Sequence, residues 1–181
     1  MALKSTIFKV KLSVADITRN YYEDHDLTLA RHPSETDLRM LVRVIAFALN
    51  AHEHLKFGKG ISSPEEPDLW QVDLTGEIIH WIDLGQPQEK RIRQACSKAR
   101  QVSVYTYQPG AAISWFKDIE TDLERFDHLR VINLGVGDDS LVAKLIARTM
   151  ALNCTIEDDQ IMLANDANNV FVQMKVVKDF K

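Results

Sequence analysis

An α/β (α+β) fold, a mixed β-sheet flanked by helices, is predicted by three features of this 181-residue chain. Helix-period and strand-period segments alternate through its middle, hairpins stand at both ends, and its length suits a single domain over 1–181. A domain of that size buries roughly 70% of its unfolded surface, so neither a disulfide nor a metal is needed to hold it. Cys96 and Cys154 form no Cys-x-x-Cys pair and no Cys/His array. They read as small buried apolar residues of a protein in a reducing, cytoplasmic setting.

The chain opens with alternation over 6–14, placing Phe8, Val10, Leu12 and Val14 on one face and Lys9, Lys11 and Ser13 on the other. That is a half-buried strand, and the residues Met1-Ala2-Leu3 lead into it without the look of a signal peptide. A polar turn over 16–20 joins it to a second strand ending in Leu27-Thr28-Leu29-Ala30, an N-terminal hairpin. Ser34, with Pro33 before it and Asp37 at N3, is expected to cap a long helix whose stripe is Leu38, Val42, Ile45 and Leu49. Gly58 and Gly60 stop that helix, and a loop carrying Ser62, Ser63, Pro64 and Pro67 reads as mobile. Strands over 69–74 and 77–84 turn at Thr75-Gly76. A basic helix over 88–100, a strand over 102–107, a helix over 111–125 and a strand over 130–134 follow. A helix over 138–150 then precedes a C-terminal antiparallel strand meander of 152–156, 160–163 and 170–177.

Several functions fall away. A net charge of −4 argues against coating nucleic acid by charge alone. No run reaches the ~20 apolar residues of a membrane helix, since Arg43 interrupts the best one, so no membrane partner is expected. Gly135-Val136-Gly137 lies between a strand and a helix, but Ser140 replaces a third glycine and Asp138 and Asp139 put negative charge where phosphate would sit. No dinucleotide is expected. The histidines offer no i, i+4 metal pair, and Trp115, Phe116 and Ile119 read as helix core.

Carboxylates mark the segment from Ser34 to Tyr107. Asp68 follows Pro67 at a strand entry, Asp83 lies near the end of the next strand, and Glu35 stands at the start of the long helix, leaning toward the sheet. Three carboxylates at one point are costly unless a cation neutralises them. Magnesium, which takes carboxylate and phosphate oxygens, is the natural candidate, with Asp68 and Asp83 as its ligands. The following helix supplies the opposite charge: Lys90, Arg91, Arg93, Lys98 and Arg100 against Glu89 alone. Gln88 at its N-terminal end and Arg91 or Lys98 along one border are placed to contact a phosphate.

Arg31-His32-Pro33-Ser34-Glu35-Thr36, Trp81-Ile82-Asp83-Leu84-Gly85-Gln86-Pro87, Arg91-Ile92 and Ala95-Cys96 resemble the bacterial YaeQ family over essentially the whole chain. The resemblance implies a variant of the PD-(D/E)XK nuclease core, over about 34–107. Position by position, Pro67-Asp68 matches its PD element, Asp83 its (D/E) element and Glu35 the carboxylate of its first core helix. The lysine two residues beyond the second carboxylate is Gly85 here, a loss worth several kcal/mol of transition-state stabilisation in such a nuclease. Arg91 or Lys98 would substitute, and of the two only lysine readily exchanges protons.

The expectation is therefore a nuclease-like protein acting on or binding nucleic-acid phosphodiesters, as a magnesium-dependent phosphodiesterase. Asp68 and Asp83 hold the metal, Glu35 and Lys98 complete the catalytic set, and Gln88 and Arg91 bind substrate. The alternative is a non-enzymatic binding or regulatory factor on a degenerate nuclease scaffold. A third reading is a protein-interaction module using the open edges of the terminal strands.

Overall fold

The computed structural model describes residues 4–59, 61 and 63–181; Met1, Ala2, Leu3, Gly60 and Ser62, which figure in the readings above, lie outside the described residues. Two eleven-residue strands, β1 (Thr6–Asp16) and β2 (Tyr21–Arg31), form the expected hairpin. Helix α1 (Asp37–Leu49) follows, then a short strand β3 (Leu55–Phe57), β4 (Leu69–Val72) and β5 (Ile78–Leu84). The basic helix α2 (Glu89–Lys98) leads to β6 (Ala99–Thr106), and α3 (Pro109–Leu123) leads to β7 (Leu129–Val136). A 3-10 turn (Asp139–Leu141) and a single helical turn α4 (Val142–Leu145) precede β8 (Thr149–Glu157), β9 (Gln160–Ala164) and β10 (Asn169–Lys178).

Among the described residues ten strands form one mixed sheet of order β2-β1-β8-β9-β10-β7-β6-β5-β4-β3. The C-terminal meander is present, but it does not stand at an edge. It is inserted between the hairpin and the parallel trio β5, β6 and β7, with β8 parallel to β1 and β10 antiparallel to β7. Among the terminal strands only β2 keeps an open edge, which removes most of the surface the third reading requires. The sheet is large and nearly closed, and α1 occupies its concave side.

That enclosure explains the first correction. An apolar stripe along one side was expected, yet Met40 to Ala48 are all buried, including Val44 and Phe47 well away from the stripe. A helix apolar all round belongs inside a core. Its boundaries differ too. Thr36, not Ser34, is the N-cap, its hydroxyl accepting from the Arg39 amide at 3.1 Å, while Ser34 bonds to His32. The helix ends at Leu49 rather than at the glycines, because Asn50 leaves helical geometry and donates its side chain to the Ala46 carbonyl and the Tyr105 hydroxyl, both at 2.8 Å. The helix expected over 138–150 shrinks to one turn, since from Thr149 the chain alternates and pairs with β1.

The outer face of β5, β6 and β7 carries a second core. Trp81, Val102, Val104, Leu129 and Val131 pack there against Ile92 and Ala95 of α2 and Leu123 of α3. This half of the molecule is three-layered, and its strand ends hold the candidate site. Among the described residues no helix is long and apolar enough to cross a membrane.

At the other end of the parallel strands, His80 of β5 shares a 2.8 Å hydrogen bond with the buried Ser103 hydroxyl. Burial, assisted by the nearby positive charge of Arg130, pushes the His80 pKa down from 6.5 to about 4. The folded chain therefore keeps His80 neutral where an unfolded chain would protonate it, so protons favour unfolding. Stability is undiminished above about pH 6.5 and is lost as pH falls toward 4, by about 3 kcal/mol for this group alone. Urea denaturation at pH 7 and pH 4 should show a decline smaller by about that amount in His80→Gln; equal declines in the two proteins would refute the assignment.

Candidate functional site

The site forms where β4 begins and β5 ends, a sheet edge at which loops and helix termini converge. Pro67 fixes the chain entering β4, and the Gly58 amide donates to the Asp68 carbonyl at 2.9 Å. A Cβ at Gly58 would lie 2.0 Å from the Pro67 carbonyl oxygen, so only glycine lets these segments approach. Asp68 is thereby held in place, with one side-chain oxygen accepting from the Leu84 amide at 2.8 Å and the other from Arg39 at 2.5 Å. Leu69 pairs with Ile82 across the antiparallel ladder, which sets Asp68 beside the end of β5 and near Asp83. Both aspartates line one cavity, with Arg39, Gln86, Pro87 and Arg91.

Each predicted carboxylate has an arginine. Asp83 accepts from Arg91 Nε and Nη2, both at 2.8 Å, a bidentate pair buried on the carboxylate side. Arg39 links Asp68 to Glu35 Oε1 at 3.1 Å, and Arg43 reaches Glu35 Oε2 at 3.1 Å. The hydrogen bond to Asp83 raises the Arg91 pKa above the ordinary arginine value, more than offsetting burial. For Arg39 burial is the largest influence and acts to lower the value, but Asp68 and Glu35 together outweigh it. Tyr107, beside Arg39, has its pKa raised by burial. Three carboxylates thus face three guanidinium groups.

This charge balance bears on magnesium. The ion needs carboxylate oxygens at ~2.0–2.1 Å, yet both oxygens of Asp68 and both of Asp83 already accept from protein donors. Among the described residues no group of three or more histidine, cysteine, aspartate or glutamate side chains is arranged to hold a metal ion. As they stand, these oxygens are engaged by arginine and backbone donors.

The other predicted residues separate. Glu35 precedes the helix instead of beginning it, is 3% exposed, and reaches Asp68 only through Arg39. Gln88 takes the N-cap position of α2 without a capping bond, and the glutamine lining the aspartate cavity is Gln86. Lys98 lines an adjacent cavity with Pro64, Glu65, Trp81, Arg91 and Gln94, so Pro64 and Arg91 form the shared wall. The 58–68 connection is tethered where it is described. Arg91 donates to the Pro64 carbonyl at 2.6 Å and the Glu66 carbonyl at 2.9 Å, and Lys59 pairs with Glu66 at 3.1 Å. Gly85 has φ +89°, where a lysine would be strained even though a Cβ would meet nothing closer than 3.9 Å.

The family model for YaeQ protein matches residues 1–174. The chain belongs to the YaeQ family. It is 42% identical over 177 residues to the uncharacterised YaeQ protein of Escherichia coli K12, covering 96% of each chain. Against the Salmonella typhi protein of the same name it is 40% identical over 174 residues, again covering 96% of each. The crystal structure of the YaeQ protein from Xanthomonas axonopodis pv. citri superposes with a TM-score of 0.92 at 40% identity, covering 97% of this chain and 99% of that one. The Pseudomonas syringae YaeQ structure gives 0.87 at 28%, covering 96% of both. The mixed α and β architecture described above is therefore the family's, and the large nearly closed sheet with it.

Sequence reasoning missed Arg39 and Arg43, although Glu35, Arg39 and Arg43 stand at i, i+4 and i+8. The buried Glu35–Arg43 pair should dominate local stability, because removing one partner leaves an uncompensated charge in the core. Arg43→Met is expected to cost about 3 kcal/mol in urea denaturation, with part of the loss recovered when Glu35→Gln is added. An unchanged midpoint for Arg43→Met would show that the pair does not hold this region.

Proposed function

We propose that this YaeQ-family chain is a nucleic-acid phosphodiester-binding protein on a PD-(D/E)XK-like scaffold, in which arginines replace the metal ion. The carrying observation is the pairing of Glu35, Asp68 and Asp83 with Arg43, Arg39 and Arg91. A nuclease site of this type uses its carboxylates to concentrate positive charge from a cation. Here guanidinium groups supply that charge permanently, and they recognise phosphate oxygens well. Asp68, Asp83 and Glu35 then serve to position arginines. Arg91 and Lys98, on one face of α2, offer the phosphate contacts, and Gly85 leaves no lysine to assist hydrolysis.

The second reading, magnesium-dependent phosphodiester hydrolysis with Asp68 and Asp83 as ligands, draws support from the convergence of both aspartates on one cavity. It requires Arg91 to release Asp83 first.

Fluorescence anisotropy with labelled single- and double-stranded DNA and RNA separates the two. Binding should be equal in magnesium and in EDTA, fall with rising salt, and leave the polymers intact. Arg91→Ala should weaken it about tenfold, the equivalent of one charge-assisted contact. Metal-dependent cleavage that Asp83→Asn abolishes would establish the second reading instead, and failure to bind any of the polymers would overturn the proposal.

A further inference from the structure

We infer that the cavity beside the aspartate site, between α2 and residues 63–66, is a phosphate-receiving pocket built on Trp81, Arg91, Gln94 and Lys98. This deepens the reading above and rests on it only for the source of the phosphate.

The donors are set by helix geometry. Arg91, Gln94 and Lys98 stand at i, i+3 and i+7 of α2, within about 60° of one another around the axis, so they border one cavity. Its volume is about 480 Å³, within the ~300–1,000 Å³ of ordinary ligand pockets. Trp81 contributes to its wall, with Arg91 and Lys98 over the indole ring at 5.8 and 5.9 Å from the centroid.

The independent observation is the Trp81 indole N–H. Trp81 is 3% exposed, and its Nε1 is buried with no hydrogen-bond acceptor. Trp115, by contrast, donates its indole N–H to the Pro87 carbonyl at 3.0 Å. The Trp81 side chain thus forms part of the cavity wall while its indole N–H lies buried and unmatched, a disfavoured state that an acceptor-rich ligand would relieve if a small side-chain shift admitted it.

The charges choose the ligand. Among the described residues no carboxylate lies within 4.0 Å of the Lys98 ammonium in an ion pair, so its charge is uncompensated, unlike that of Arg91. Four of the five Arg91 N–H groups are spent on Asp83, Pro64 and Glu66, leaving one on Nη1. Lys98, the Gln94 side-chain NH2 and that remaining N–H can all donate into the cavity, and a phosphate group, rich in acceptor oxygens, satisfies several at once. Glu65 is the one carboxylate lining the cavity and works against the anion.

Indole N–H resonances of the full chain test this directly. Trp70, Trp81 and Trp115 give three signals, and Trp81→Phe, which keeps an aromatic side chain and deletes the donor, identifies that of Trp81. Titration with inorganic phosphate should move the Trp81 signal most. Lys98→Ala, an exposed position whose loss leaves the core intact, should weaken binding about tenfold, and Glu65→Gln should tighten it. A Trp81 signal unmoved by phosphate, or equal affinity in Lys98→Ala and the unaltered protein, would overturn the pocket. A nucleoside monophosphate and a short single-stranded oligonucleotide as further titrants separate the sources. Phosphate binding without oligonucleotide binding keeps the pocket and overturns the nucleic-acid reading. Oligonucleotide binding with Trp81 silent and Lys98→Ala unaffected keeps that reading and overturns the pocket.

Discussion

A guanidinium inside the sheet is the constraint around which the rest is arranged. Arg43 projects from the enclosed helix α1 and is 1% exposed, so its charge is tolerable only with Glu35 beside it. It also spans the place where the nearly closed sheet fails to close. Arg43 donates to the Ala30 carbonyl of edge strand β2 at 3.1 Å and lies over the Phe57 ring of the opposite edge strand β3 at 5.3 Å. Phe47, one turn further along α1, packs against His25 of β2 and Phe57 of β3. The two unpaired edges are thus connected through the helix. This also restrains β2, an exposed edge of the kind that recruits stray strands.

The same pair connects the core to the site. Glu35 is shared between Arg43 and Arg39, and Arg39 continues to Asp68, whose other oxygen holds the Leu84 amide at the end of β5. One chain of charge-assisted contacts therefore runs from the sheet edges to the strand ends. In a low-dielectric setting these contacts are strengthened, while the Arg43 Nε, buried without an acceptor, is a cost that the chain carries. The site is in that sense an extension of the core.

Much of this was legible in the sequence where a pattern was local. The period-two alternation of β1 placed Phe8, Val10, Leu12 and Val14 inward, as found. The basic helix and the convergence of Asp68 and Asp83 were also readable, because a turn at Thr75-Gly76 forces neighbouring strands to pair. What escaped was whatever depended on distant segments. The full burial of α1 follows from ten strands curving round it, and a wheel of apolar residues does not reveal that its polar side faces another wall. The short α4 was hidden because β8 is recruited by β1, more than a hundred residues away. Arg43 read as a break in an apolar run, and nothing in the local pattern singled out Arg39. Only the fold shows that each is the partner of a predicted acid.

Gly85, at the position where the nuclease resemblance implies a lysine, is accounted for by the backbone. Position 85 has φ +89°, and its amide donates to the Tyr105 carbonyl at 2.8 Å as β5 leaves the sheet. That left-handed residue turns the chain through Gln86-Pro87 into the N-terminus of α2, which carries Arg91 back over Asp83. A side chain at this position would meet strain of roughly 1–2 kcal/mol from the backbone alone, so a lysine introduced here would be strained. The turn that excludes lysine is the turn that delivers arginine. Gly85 and Arg91 are therefore two consequences of one conformational choice, in which the second aspartate anchors a cation belonging to the protein itself.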